Sequence, residues 1–194
     1  MKELFLKRFL YYKSLGDKTL ENLSSKELFW QYNEESNSIA VLVKHIAGNM
    51  LSRWTNFLTE DGEKDWRNRD SEFINDFTSK EEVILYWEKG WNCLLETLQS
   101  LSDEQMSAII YIRGEAHTVA DALLRQLAHY PYHIGQIIYV AKMLKNTDWE
   151  SLSIPKNKSQ AYNEAMIIKN DELSQENSSP VCFAKSKEIR DEYK

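Results

Sequence analysis

Four separate stretches of this chain repeat apolar residues at three- and four-residue steps, and sustained two-residue alternation is nearly absent. Leu4, Phe5, Phe9, Tyr12 and Leu15 predict a first helix over residues 3–21. Asn37 is the expected cap of a second helix, whose stripe of Val41, Leu42, Ile46 and Leu51 ends near residues 60–62. Ser79 with Glu82 has the spacing of a capping box and opens a third helix through Tyr86, Trp87, Leu94 and Leu98. Thr118 opens a fourth, with Leu123, Leu124, Leu127, Ile134 and Ile138 in register through about Met143. An amphipathic helix must bury its stripe against others, and helices of about twenty residues span roughly 30 Å, so the expected class is an all-α bundle. Between the third and fourth helices, "SAIIYIRGEAHT" contains a short β-like run, either extended or an irregular packed crossing.

The bundle domain is expected to occupy residues 1–168. The segment "TDWESLSIPKNKSQAYNEAM" holds apolar anchors without a long helical stripe, and from residue 169 to 194 Asn, Ser, Glu and Lys dominate, the composition of a flexible polar tail. A net charge of −6 without a basic stripe argues against a nucleic-acid partner. "MKELFLKRFLYYKS" alternates charges with apolar residues, so it reads as an amphipathic helix and neither as a signal peptide nor as a membrane span. Cys93 and Cys182 are too few and too distant for a disulfide framework, which fits a cytoplasmic chain.

The chain has four histidines, and two of them, His129 and His133, stand four residues apart on the fourth helix with Pro131 between them. That spacing puts both rings on one face, one turn apart, beside Ala122, Gln126 and Val140. Such a pair is either a core feature satisfied by ordinary hydrogen bonds or half of a metal site. His45 shifts the balance toward metal. It sits mid-way along the second helix in a polar ladder with Ser38, Asn49 and Ser52, flanked by Leu42, Ile46 and Met50, and buried polar groups left unpaired are costly. Three imidazoles from two helices can surround a divalent ion and leave one position open. Pro131 removes a hydrogen bond to the Leu127 carbonyl, at about 3 kcal/mol, and is either a tolerated bend or a device that widens the cavity. Cys93 reads as a small buried hydrophobe. His117, three turns upstream of His129, reads as a local cap partner.

An early histidine in "SIAVLVKHIAGNM" and a later "HYPYHIGQI" resemble the DinB/YfiT-like superfamily of small metal-binding helical proteins. "GNMLSRWTNFLTEDGEKDWRNRDSEF" and "WESLSIPK" resemble a largely bacterial, functionally uncharacterised branch of it, over most of residues 1–160. The resemblance implies a four-helix bundle of up-down-down-up connectivity, often a homodimer. It also implies that His45, His129 and His133 hold a divalent ion such as nickel, zinc, iron or manganese. Some members of the superfamily transfer low-molecular-weight thiols (mycothiol, bacillithiol or glutathione), and others have no known activity. The DinB name supplies no DNA-binding mechanism.

Arg53 and Trp54 close the polar side of the second helix, and Arg67 and Arg69 follow in the loop with Asp70 and Glu72. Arginine grips carboxylate or phosphate with two parallel hydrogen bonds, and tryptophan covers apolar surface. Arg53, Trp54, Arg67 and Arg69 are therefore candidates to orient an anionic thiol cofactor; the alternative is that "EKDWRNRDSE" pairs its own charges and pins the loop. Three functions remain open on these residues: transfer of a thiol to a small electrophile, hydrolysis by metal-activated water, and a non-enzymatic metal-stabilised interaction protein.

Overall fold

The computed structural model describes residues 1–178, with side chains described through residue 168; Cys182 and the end of the predicted polar tail lie outside the described residues. Six helices and one hairpin follow in order: α1 (Lys2–Glu21), α2 (Ser25–Leu28), α3 (Ile39–Trp54), α4 (Lys80–Ser100), β1 (Ile109–Ile112), β2 (Glu115–Thr118), α5 (Val119–Lys145) and α6 (Ser159–Ser178). They fall into two compact units divided between Trp149 and Glu150.

The first unit is the expected bundle of α1, α3, α4 and α5, and contacts along the helices give their directions. Lys2 at the start of α1 donates to the Leu101 carbonyl just past α4, while Lys80 at the start of α4 reaches the Glu21 carbonyl at the end of α1, so these two are antiparallel. Ala47 lies against Gly90, the Met50 carbonyl near Cys93 and the Trp54 carbonyl near Thr97, which makes α3 and α4 parallel. His45 meets His129 and His133 of α5, whereas Arg53, two turns later in α3, feels the charge of Arg125, earlier in α5, so α3 and α5 are antiparallel. The result is up-down-down-up. Phe9, Trp54, Trp87, Trp91 and Tyr130 are almost fully buried at its centre, with Phe9 and Trp91 6.0 and 6.2 Å from the Tyr130 ring.

Local chemistry moves some predicted boundaries. Ser38, and not Asn37, caps α3, its hydroxyl accepting from the Val41 N–H. The helix stops at Trp54 because Asn56 turns into the left-handed region (φ 49°), where its carbonyl accepts from Thr59 and Glu60. Ser79 caps α4 by accepting from the Glu82 N–H, while the Glu82 carboxylate accepts from Thr78, one residue before the cap. The β-like run is a two-stranded antiparallel hairpin with Ile110 and Ile112 buried, turning through Arg113 and Gly114 at positive φ. The Asp61 carboxylate accepts from both N–H groups of that turn, so the loop after α3 is tied to the hairpin. The helix α5 starts at the Thr118 cap and continues across Pro131.

In the second unit, α6 occupies sequence without an apolar stripe. Ala161, Glu164, Ala165 and Met166 are good helix formers, and residues 159–168 are all exposed, so propensity and not burial marks this helix. The start of the predicted tail, residues 169–178, is its continuation. Among the described residues no helix is long and apolar enough to cross a membrane.

Candidate metal centre

Helix periodicity sets the three histidines. His45 projects from the first half of α3 and is 5 % exposed; His129 and His133 project from successive turns of α5 and are half-buried. Their Nε2 atoms converge, His129 to His133 at 3.1 Å and His129 to His45 at 3.4 Å, and one ligand atom from each of the three lies within 4.8 Å of the others. Imidazole nitrogens roughly 2.0–2.1 Å from a common ion stand about 3.0–3.4 Å apart at angles between a right angle and the tetrahedral one. The spacing fits.

The outer partners of the rings decide what those nitrogens present. His45 Nδ1–H donates to Glu72 Oε2 at 2.9 Å, His129 Nδ1–H to Gln126 Oε1 at 3.3 Å, and His133 Nδ1–H to Gln136 Oε1 at 2.7 Å. The Gln136 amide is itself oriented, because its NH2 donates to the Tyr132 hydroxyl. With every Nδ1 a donor, every neutral ring carries its lone pair on Nε2. Three lone pairs then face a common point, which suits a cation. Burial, followed by the neighbouring His133 and His45, pushes the His129 pKa down to about 3, and burial also lowers that of His133, so these rings are available as neutral ligands.

Glu72 comes from a 3-10 turn at Asp70–Phe73, and the backbone around it is clamped by Lys44, which donates to the Ser71 and Ile74 carbonyls and pairs with Asp76 at 2.6 Å. Phe73 stacks on His45 at 4.9 Å between ring centres. Gly48, one turn beyond His45, gives Glu72 its room: a Cβ there would stand 2.5 Å from Glu72 Oε1. Arg67 donates from Nε to Oε1 at 2.8 Å and from Nη2 to Oε2 at 3.0 Å. Burial acts to raise the Glu72 pKa, but the hydrogen bonds from His45 and Arg67 outweigh it and hold the carboxyl below its ordinary value. A fixed carboxylate behind a histidine is the outer support that metal sites commonly use, and Glu72 stands in that position behind His45.

A cleft of about 250 Å³ opens beside the triad, lined by His45, Asn49, Gln126 and His129 and by five arginines, Arg53, Arg67, Arg69, Arg113 and Arg125. Arg67 also bonds Glu63 at 3.2 Å, so the loop does pair its own charges, and it brings Arg67 and Arg69 to the cleft as well. Trp54 is a correction. It does not line the cleft; a rotation of about 100° per residue carries it away from Arg53 into the core, where it is 1 % exposed and its Nε1 donates to the Tyr130 hydroxyl. Tyr130 donates onward to Asn49 Oδ1 at 3.1 Å, a buried chain that leaves the Asn49 amide NH2 for the cleft. Sequence reasoning missed Tyr130 and the roles of Arg113, Arg125 and Gln136. Arg125 stands one turn before His129 on the same helix, a signal the spacing offered.

The other histidine and the thiol stand apart. His117 bonds the Asp121 carboxylate at 2.6 Å, a local partnership at the start of α5. Cys93 lies half-buried in a larger open groove of about 690 Å³ between α3 and α4 that no histidine lines, and burial pushes its thiol up.

A crystal structure of a DinB-like protein from Bacillus cereus ATCC 10987 is similar to this chain, with 20 % identity, 73 % of this chain and 91 % of that one covered, and a TM-score of 0.57. At that identity the likeness shows the fold, which is DinB-like. No protein with a curated description matches the chain. A family model described as "Protein of unknown function (DUF1572)" matches residues 2–158, and the chain belongs to that family.

Proposed function

We propose that His45, His129 and His133 hold a divalent ion with one position open to the arginine-lined cleft, and that the protein transfers a low-molecular-weight thiol to a small electrophile. The observation that carries the metal reading is the convergence of three Nε2 lone pairs, with each Nδ1 committed to an outer acceptor. No fourth histidine, cysteine or carboxylate joins this cluster among the described residues, which favours a working site over a closed structural one. A bound divalent ion supplies Lewis-acid chemistry, lowering the pKa of a thiol at the open position. The thiol proton passes to solvent, the sulfur bonds to carbon, and the leaving group departs with its electron pair. Arg53, Arg67 and Arg69 face the cleft where an anionic cofactor would be oriented. Both Glu72 oxygens are already engaged by His45 and Arg67, and no other carboxylate lines the cleft, so a general base for the hydrolase alternative is missing. Zinc, nickel, iron and manganese are all candidates for the ion, since imidazole suits several of them.

Metal analysis of gently purified protein tests the first step. The wild type should carry near-stoichiometric metal and H45A, H129A and H133A little; normal content in all three variants overturns the site. In cobalt-substituted protein a thiol at the ion would change the visible spectrum, and no change with any cellular thiol class removes the transferase reading.

A further inference from the structure

Apart from the histidine Nε2 lone pairs turned to the metal position, the polar side chains that line the cleft are hydrogen-bond donors or are already occupied as acceptors. Asn49 Oδ1 is taken by Tyr130 and Gln126 Oε1 by His129, which leaves both amides presenting NH2. The other polar liners are two histidines and five arginines, with no carboxylate among them. Two arginines are neutralised, Arg67 by Glu72 and Glu63 and Arg113 by Glu63 at 3.3 Å. Arg53, Arg69 and Arg125 have no ion-pair partner among the described residues. Arg69 instead lies over the Phe73 ring at 5.2 Å, and Arg125 is exposed on α5.

Arg53 is the informative residue. It is 4 % exposed, and its Nε and Nη1 are enclosed without a hydrogen-bond partner. Burial acts most strongly against its charge; Arg125 and Arg67 add to that, Tyr130 and Glu63 act the other way, and the balance lowers its pKa from the ordinary value. A buried guanidinium with two donors unpartnered is expensive unless an anion meets it. Phosphoryl and carboxylate groups match its donors in pairs.

We propose that the cleft is a recognition site for a small ligand bearing two negative charges on oxygen, a phosphoryl group or paired carboxylates. Arg53, Arg69 and Arg125 supply the charge, and the Asn49 amide donates beside them. This deepens the functional reading above, on which it rests for the cleft being the approach to the metal. It narrows the substrate or cofactor to molecules with such a dianionic end, and it assigns Trp54 an indirect part as the residue that fixes Asn49 through Tyr130.

The test uses full-length, chelator-treated protein, so that the ion does not contribute. Inorganic phosphate, malonate and acetate are titrated calorimetrically at constant ionic strength. Phosphate or malonate should saturate at least tenfold more tightly than acetate, and whichever is tighter names the ligand group. R69Q and R125Q, both at exposed positions that tolerate change, should each weaken binding about tenfold. H133A, which breaks the triad, should bind the dianion as the wild type does. Equal response to all three anions, or undiminished binding by R125Q, overturns the proposal. Loss of metal from the triad variants with no dianion binding would leave the metal reading standing without this one; dianion binding in a protein that never holds metal would do the reverse.

Discussion

Glu72→Gln is a nearly isosteric change that isolates the outer support of the proposed metal centre. In the native site the two carboxylate oxygens receive His45 Nδ1–H and two N–H groups of Arg67, with the side chains of Glu72 and Arg67 6 % and 3 % exposed. An amide offers one acceptor where the carboxylate offered two. If its oxygen faces Arg67, its NH2 faces His45, which moves the ring proton to Nε2 and removes that lone pair from the metal. If its oxygen faces His45, the NH2 opposes the Arg67 donors. Breaking a buried ion pair from one side costs about 3–5 kcal/mol, and the retained acceptor and the remaining Glu63 contact at 3.2 Å place this variant near the lower figure. In a chain of 194 residues each kcal/mol moves Tm by about 2–4 °C, so metal-free E72Q should melt about 6–12 °C below the wild type. Loss of an outer partner typically weakens metal binding about 10–100-fold, which is about 1.4–2.8 kcal/mol. Scanning calorimetry and competitive zinc titration read the two effects separately. Zinc affinity within about threefold of wild type, together with a Tm within about 2 °C, would refute the assignment of Glu72 as the group that sets the His45 tautomer.

Two further variations bear on the same geometry. His129 is depressed from 6.5 to about 3, so between those values the unfolded chain binds a proton that the folded chain does not; the metal-free protein should be most stable above pH 6.5 and lose stability as pH falls toward 3, and H129A should flatten the Tm–pH curve in that window. Gly48→Ala places a Cβ 2.5 Å from Glu72 Oε1 and 2.9 Å from its Cδ, and because that carboxylate is held by His45 and Arg67 the variant should lose about 1–3 kcal/mol and bind zinc more weakly, despite the better helix propensity of alanine; a raised Tm with unchanged zinc affinity would count against it.

The bundle was legible because burial leaves a 3.6-residue signature, and each of the four long helices contains most of its predicted stripe. The three histidines were legible for the same reason, since four-residue spacing and a mid-helix polar residue are both properties of one helix at a time. What crosses between elements was not. Glu72 looked like one more charge in "RNRDSEF" because its place depends on the missing Cβ of Gly48, twenty-four positions earlier. Arg53 and Trp54 were grouped by adjacency, although neighbouring residues on a helix point in different directions, one to the cleft and the other to the core. The α6 helix carries no stripe to read, and the choice of Ser38 over Asn37 lies between two residues of similar capping strength.

A histidine cluster that serves only to fill the core should satisfy its own nitrogens, one ring donating Nε2–H to the next. Here three acceptors from three different places, Glu72 in the loop after α3 and Gln126 and Gln136 on α5, stand behind the rings and take all three Nδ1 protons. The inward faces are left as lone pairs 3.1 and 3.4 Å apart, an arrangement that repels unless a cation or proton lies between them. Burial and mutual charge disfavour the proton at His129. The opposite polarity rules the adjoining cleft, where arginine and amide donors face inward and the carboxylates of Glu72 and Glu63 are held by arginines. Acceptors backing the rings and donors lining the cleft set a cation beside an anion, and that pairing is what a metal-assisted reaction on an anionic ligand requires.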